Sequence, residues 1–257
     1  MSHVDTRPIW NRLADFWDKA LGEGNDFQKH LIMPATDRLL NARLGEVVLD
    51  VCCGNGNYAR LLAARGVKVV ACDGSNVFID RARARTSGDM SIEYHVTDAT
   101  SELELLSLGV GRFDAVVISM AVMDLPTIDP VFKAARQLLG PGGRVVFSVS
   151  HPCFNSNRPV ITADLVEGDD GLRQRFGVQI FDYAQPMEYL SAGILNQPEP
   201  HPFFHRPLHV LLASCFAAGF VVDGIEEPTF PPDFPSRNPF SWAKRPNLPP
   251  AIVVRLR

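Results

Sequence analysis

Three carboxylates stand at or just past the ends of short apolar runs: Asp50 after Val47-Val48-Leu49, Asp73 after Val69-Val70-Ala71-Cys72, and Asp98 after Val96-Thr97. Such runs read as strands with an acid at the carboxyl edge, where ligands of open α/β sheets bind. After the first acid come Cys52-Cys53-Gly54-Asn55-Gly56-Asn57, a run of small residues leading into a helix. A ligand there meets main chain, and amides at a helix start favour an anionic or polar group. Gly54, Gly56 and Ala59 also satisfy the dinucleotide pattern G-x-G-x-x-G/A. Asp50 argues against that ligand, because a carboxylate there repels pyrophosphate and suits a positive amino group. Asp73, 23 residues after Asp50, is spaced to accept hydrogen bonds from ribose hydroxyls. The three acids together describe one pocket for a nucleoside-like ligand that carries cationic groups and no phosphate.

The elements that must position these residues follow from periodicity. Strand-like runs cover Val47 to Val51, Val67 to Ala71, Ile92 to Val96, Phe113 to Ser119 and Arg144 to Val149, with amphipathic stretches between them. That alternation predicts an α/β fold, doubly wound around a mostly parallel sheet. Helical spacing follows the first two strands, and a helix through Val131 and Leu138 ends at Gly140-Pro141-Gly142-Gly143. Upstream, Trp10 to Leu21 and Gln28 to Leu40 read as two helices joined by a GEGND turn, placed to act as a lid. Fifteen of the twenty prolines fall after residue 150. Residues 152–207 have poor periodicity and many aromatics, which predicts an irregular insertion with a short hairpin around Phe181 to Tyr189. Leu208 to Ala218 reads as a helix stopped by Gly219, and Phe220 to Ile225 and Ile252 to Leu256 read as strands at the other edge of the sheet. The expected units are lid helices (1–45), a βαβ core (46–150), a substrate-side insertion (151–207) and a closing segment (208–257).

Residues 47–150 resemble the core of the class I S-adenosylmethionine-dependent methyltransferases. The resemblance runs in order through VVLDVCCGNG, VVACDGS, VTDAT, FDAVVISMAVMDL and LLGPGGRVVFSVSHP. It implies a seven-stranded Rossmann-like sheet with S-adenosyl-L-methionine as cofactor. Gly54 and Gly56 then approach the cofactor, Asp73 with Gly74 and Ser75 serves the ribose, Asp98 and Ala99 lie beside adenine, and Ser119 and Met120 lie near the methionine portion. Asp50 would orient the loop or the amino group. Cys52 departs from the family's usual first glycine, so the backbone there is expected to take a conformation that a non-glycine residue tolerates.

The reaction so implied, methyl transfer to a nucleophile, depends on alignment first and needs a base only for an acceptor that is not already nucleophilic. His151, directly after the fifth strand, is the first candidate base; His205 and His201 in His201-Pro202-Phe203-Phe204-His205-Arg206-Pro207 follow, then Tyr183, Asp124 and Tyr189. Trp10, Phe16, Trp17, Phe27, Phe154, Phe181, Tyr183, Phe203 and Phe204 are either ordinary core or the walls of an apolar acceptor pocket. Asn25 is a turn former that faces the cofactor from the lid, or only a turn former. No cysteine spacing suits a structural zinc site, so no metal is expected.

The chain's 257 residues, 46% hydrophobic and 21% charged, suit a folded globular protein. A net charge of -4 gives no pull toward nucleic acid. Five cysteines without a C-x-x-C pair, a start lacking a leader pattern and no apolar run of bilayer length predict a soluble cytoplasmic protein. The expected partner is a small aromatic or hydrophobic methyl acceptor. A cofactor-binding protein without turnover and an NAD-dependent oxidoreductase are the alternatives; the oligomeric state is not legible.

Overall fold

The computed structural model describes residues 4–169 and 171–257. Met1 to His3, within the start read for a leader, lie outside them. Helix α1 (Arg7–Leu21) opens with Pro8, whose fixed φ suits a first helical turn. A π-helical turn, Gln28–Ile32, runs directly into α2 (Met33–Leu40). Strands and helices then alternate as β1 (Val47–Val51), α3 (Asn57–Ala63), β2 (Lys68–Asp73), α4 (Asn76–Arg85), β3 (Ile92–Val96), α5 (Glu102–Leu106), β4 (Phe113–Ser119), α6 (Asp129–Leu138) and β5 (Leu139–Ser150). After them come β6 (Val160–Gly168), β7 (Gly171–Gln179), β8 (Met187–Ser191), β9 (His201–His205), α7 (Leu208–Ala217), β10 (Val222–Glu226) and β11 (Ala251–Leu256).

Seven strands form one sheet in the order β3-β2-β1-β4-β5-β11-β10. Strands β1 to β5 pair in parallel, and β11 runs antiparallel to both β5 and β10. The sheet grows outward from β1 through β2 to β3, then restarts at β4 on the other side. Loops leaving β1 and β4 therefore part, and a crevice opens at their carboxyl ends.

Successive strand residues face opposite ways, so the strands inside the sheet feed two cores. Val48, Val69, Ala71, Ala115 and Val117 pack against Leu39, Leu40, Ala59 and Leu62 of α2 and α3. Leu49, Val51, Val70, Val116 and Ile118 pack instead against Phe132, Ala135 and Leu138 of α6 and Leu211 of α7. The β-branched runs of the sequence are the consequence of burial on both faces.

Two expectations about elements need correction. The Gly140-Pro141-Gly142-Gly143 stretch is not a turn ahead of the fifth strand but a bulge within it: Leu139 pairs with Phe113, and pairing resumes at Arg144 with Ala115. The segment after β5 is not irregular. It holds two antiparallel ribbons, β6–β7 and β8–β9, and Phe181 to Pro186 merely connects them. Both strands of the first ribbon leave leucines in solvent, Leu165 at 66% and Leu172 at 69% exposure, so no buried face imposes the alternation that would reveal it.

Candidate active site

The turn from β1 into α3 passes through three left-handed residues, Cys52 (φ 58°), Gly54 (φ 55°) and Gly56 (φ 73°). Cys52 thus keeps the glycine-type backbone it was expected to avoid, at a cost of about 1–2 kcal/mol for a residue with a Cβ. Asp73 secures this turn. Its Oδ2 accepts from the Gly54 amide (2.9 Å) and its Oδ1 from the Ser75 amide (2.8 Å). Ser75 in turn caps α4, its hydroxyl accepting from the Phe78 amide. The two flanking glycines face different surroundings. A Cβ on Gly56 would lie 2.6 Å from the Tyr94 hydroxyl, whereas one on Gly54 would enter open space.

That space is a cavity of about 880 Å³ at the switch between β1 and β4, the size of a small-molecule site. Of the cofactor residues expected from sequence, Cys52, Gly54, Asp73, Gly74, Ser75, Asp98, Ala99, Ser119 and Met120 all line it. Asp98 accepts from the amide and hydroxyl of Thr100 through Oδ1 (2.8 and 2.7 Å), and its Oδ2 is 3.7 Å from an Arg7 guanidinium nitrogen. Met120, also left-handed (φ 53°), donates its amide to the Ser148 hydroxyl on β5 (2.9 Å). Burial pushes the Asp73 carboxyl up to about 6, against the two amides that favour its charged form.

Four site residues are not where the sequence reading put them. Gly56 does not line the cavity; it packs under Tyr94 and Ala82. Asp50 is 1% exposed and likewise lies off the cavity wall, so two carboxylates of the expected trio converge there and the third does not. Strand parity is the reason: Asp50 shares a face with Val48, toward α3, where the Ala59 amide favours its charged form. Its Oδ2 has no partner among the described residues, and burial with the nearby Asp73 charge pushes its carboxyl up to about 8.

Neither His151 nor His205 reaches the cavity. The His151 ring closes a turn, Nδ1 accepting from the Cys153 amide (3.1 Å) and Nε2 pairing with Glu227 (2.7 Å). The His205 ring sits between Ser156 and the Tyr183 carbonyl, 2.8 Å from each. Burial lowers both imidazoles below their ordinary range. Tyr183 also stands off the cavity, its hydroxyl accepting from the Leu208 amide.

The residues ranked lower do line it. His201, Asp124 and Tyr189 are all on the cavity wall, and His201 Nε2 lies 3.5 Å from Asp124 Oδ1. Trp10, Trp17, Phe27 and Phe203 also face it; Phe16, Phe154, Phe181 and Phe204 do not. Phe78, Arg158 and Trp242 are cavity residues that the sequence reading passed over. Trp242 lies in the proline-rich tail, where no periodicity singled it out. Asn25 both lines the cavity and accepts from the Gln28 amide, serving as cap and wall.

Helix α1 closes over this crevice and is held by polar contacts. Asn55, the middle residue of Gly54-Asn55-Gly56, donates to Asp18 (3.0 Å) and to the Gly22 carbonyl (3.2 Å). Arg85 of α4 also binds Asp18 (2.6 Å), Arg60 of α3 binds Glu23 (2.9 Å), and the Ser75 hydroxyl donates to Asn11 (2.6 Å). Asn55 had no functional reading in the sequence, yet it joins the ligand loop to the lid.

Two features of the cavity suit a nucleoside bearing an amino acid portion: open space over Gly54 and acids at two strand tips. Among the described residues, no cluster of histidine, cysteine, aspartate or glutamate could hold a metal ion, and all five cysteines are free. No described helix is long and apolar enough to cross a membrane.

Residues 48–143 match the family model of a methyltransferase domain. A demethylmenaquinone methyltransferase of Clavibacter sepedonicus is 35% identical over 155 residues, 59% of this chain and 58% of that one. A ubiquinone biosynthesis O-methyltransferase of Coxiella burnetii is 29% identical over 55% of this chain and 59% of its own. The chain therefore spans a little under three fifths of these curated relatives. The crystal structure of an S-adenosylmethionine-dependent methyltransferase from Mesorhizobium loti superimposes with a TM-score of 0.68 at 24% identity, covering 87% of this chain and 96% of that one. The fold is the Rossmann-like fold of the S-adenosylmethionine-dependent methyltransferases, and residues 48–143 are the part that matches the methyltransferase-domain model.

The loop geometry makes two tests. Gly56→Ala should lose about 2–4 kcal/mol through backbone strain and overpacking against Tyr94, and Gly54→Ala only about 1–2 kcal/mol through strain alone. Urea denaturation measures both; equal losses would show that Tyr94 does not confine Gly56. Asp50 predicts a pH dependence. Its folded carboxyl keeps a proton, up to about pH 8, that the unfolded chain has shed near 4, so stability falls as pH rises through that interval. Asp73 contributes the same sign only below about 6, and the lowered histidines act in the opposite direction below their ordinary value. Between pH 6.5 and 8 the melting temperature should therefore drop in the wild type and stay level in Asp50→Asn; parallel slopes would place Asp50 in contact with solvent.

Proposed function

We propose that this protein is an S-adenosylmethionine-dependent methyltransferase acting on a small aromatic or hydrophobic acceptor. The observation that carries the reading is the cavity itself: Gly54 backbone laid open to it, with Asp73 and Asp98 on the same wall. Asp73 would serve the ribose of either ligand; Asp98, a second acid at the neighbouring strand tip, suits a cationic nucleoside better than a dinucleotide and favours the methyltransferase reading over the oxidoreductase. When bound, S-adenosylmethionine supplies an activated methyl group.

In this reading Asp73 takes the ribose hydroxyls with lone pairs left over from its two amide bonds, since each carboxylate oxygen accepts more than once. Asp98 and Ala99 edge the adenine, and Ser119 and Met120 bound the methionine end. The aromatic walls, Trp10, Trp17, Phe27 and Phe203, exclude water from the reacting atoms and orient the acceptor, the contribution this class of reaction needs most. The names of the relatives, both from quinone biosynthesis, agree with a ring-bearing acceptor of low polarity. Free cysteines throughout support a cytoplasmic setting.

Calorimetry with S-adenosylmethionine, S-adenosylhomocysteine and NAD tests the cofactor. The first two should bind and NAD should not; the reverse order would overturn the reading. Asp73→Ala should weaken S-adenosylhomocysteine by at least about tenfold through loss of hydrogen bonds to a charged acceptor, in a variant whose circular dichroism is unchanged. Undiminished affinity in a folded variant removes Asp73 from the site.

A further inference from the structure

Where β9 meets the turn after β4, three polar side chains form a chain of contacts. Asp124 ends the short 3-10 turn Val122–Asp124 after β4, His201 opens β9, and Gln197 lies in the β8–β9 connection. The Gln197 amide cannot flip without losing bonds: its Oε1 accepts from the Gly193 amide (3.0 Å) and its Nε2 donates to the Glu199 carbonyl (2.6 Å). The same Nε2 lies 3.0 Å from His201 Nδ1, which must then be the accepting nitrogen. The ring proton is left on Nε2, 3.5 Å from Asp124 Oδ1. That oxygen is buried and has no hydrogen-bond partner among the described residues.

The turn carrying Asp124 is clamped from behind. The Arg206 guanidinium, just past β9, donates to the carbonyls of Val122 (3.1 Å), Leu125 (2.6 Å) and Pro126 (3.1 Å). Trp10 of the lid lies against the His201 ring at 4.7 Å between centroids. The charged and titratable groups around Asp124 are His201 from β9, Cys52 from the glycine loop and Arg206 behind the turn. Burial raises the Asp124 carboxyl above its ordinary range, with His201 working against it.

We infer that Asp124 takes the proton of a hydroxyl on the methyl acceptor, a phenol-like molecule, and that His201 and Gln197 are positioning residues that aim it. The inference rests on the methyltransferase reading above and deepens it by naming the acceptor class. The acceptor's O–H bond breaks and its proton passes to the Asp124 carboxylate. The oxygen's freed electron pair forms the bond to the methyl carbon, while the methyl–sulfur bond breaks with its pair kept by sulfur. A sulfonium and a carboxylate become a thioether and a carboxylic acid, so charge balances, and the proton returns to water once the products have left. A carboxyl group of raised affinity for protons, held beside aromatic walls, suits removal of a hydroxyl proton.

The test uses the full chain saturated with S-adenosylhomocysteine and two phenols, catechol and 2-naphthol, each paired with its methyl ether. The wild type should bind each phenol at least tenfold tighter than its ether by calorimetry. Asp124→Ala should narrow that preference to under threefold while S-adenosylhomocysteine affinity stays within twofold. Asp124→Asn, which keeps the shape, is read the same way should the alanine variant not fold. Nitrogen-15 NMR should find the His201 proton on Nε2 in the wild type and divided between both nitrogens in Gln197→Leu, a readout that a merely structural glutamine would not move. No preference for the phenols, a preference intact without Asp124, or a proton on Nδ1 overturns the inference. Failure of the wild type to bind S-adenosylhomocysteine instead overturns the methyltransferase reading, so the two failures are separate results.

Discussion

The cavity depends on a single buried carboxylate that serves two loops at once. Asp73 accepts from Gly54 across the strand boundary and from Ser75 on its own loop, so the turn after β1 and the turn after β2 keep a common geometry. Both hydrogen bonds run to a charged acceptor in a dry setting, where they are stronger than neutral ones and costly to leave unmade. Without that anchor the left-handed turn at Cys52, Gly54 and Gly56 would have little to hold it open. The strain at Cys52 is tolerable because its neighbours leave the backbone no other course: the Cys53 amide is committed to the Cys72 carbonyl at 2.9 Å.

A second layer of polar contacts converts the loop into a closed site. Asn55 cannot face the ligand and hold the lid together, and the structure spends it on the lid. Asp18 is the convergence point, receiving Asn55 from the glycine loop and Arg85 from α4. Exposed ion pairs add little to stability, but Asp18 is buried, and a buried acid left without its donors would be costly. The lid is therefore held most firmly at the point nearest the glycine loop, while outer pairs such as Asp15 with Arg81 are half exposed and weaker.

Legibility in the sequence followed burial. Strands packed on both faces show as apolar runs, and β1 and β4 ran over the residues expected of them. The β6–β7 ribbon packs on neither face over much of its length and left no period to read. Site residues carried by backbone, such as Gly54 and Ala99, were legible because small residues at strand tips have few other uses. Side-chain direction was not. Asp50 and Cys52 are two apart and should share a face, yet the left-handed turn at Cys52 brings Cys52 to the cavity while Asp50 stays behind the sheet. His151 has the right address at the end of β5, but its ring folds back onto the Cys153 amide.

The HPFFHRP segment shows why position alone could not choose between histidines. Four of its residues meet four different demands: His201 faces Asp124, Phe203 faces the cavity, His205 ties Ser156 to the Tyr183 carbonyl, and Arg206 grips the turn after β4. In a strand, residues 201, 203 and 205 lie on one side, so parity does not separate them. What separates them is distance along β9. The amino end abuts the crevice between the β1 and β4 loops, and the carboxyl end, two pairs further from it, meets Ser156 and the segment ahead of β8. A histidine at the near end has a ligand cavity before it, and one at the far end has only protein. That distinction exists solely in the way β9 lies against the turn after β4, which is set by its pairing with β8 and by the Arg206 contacts rather than by any local pattern.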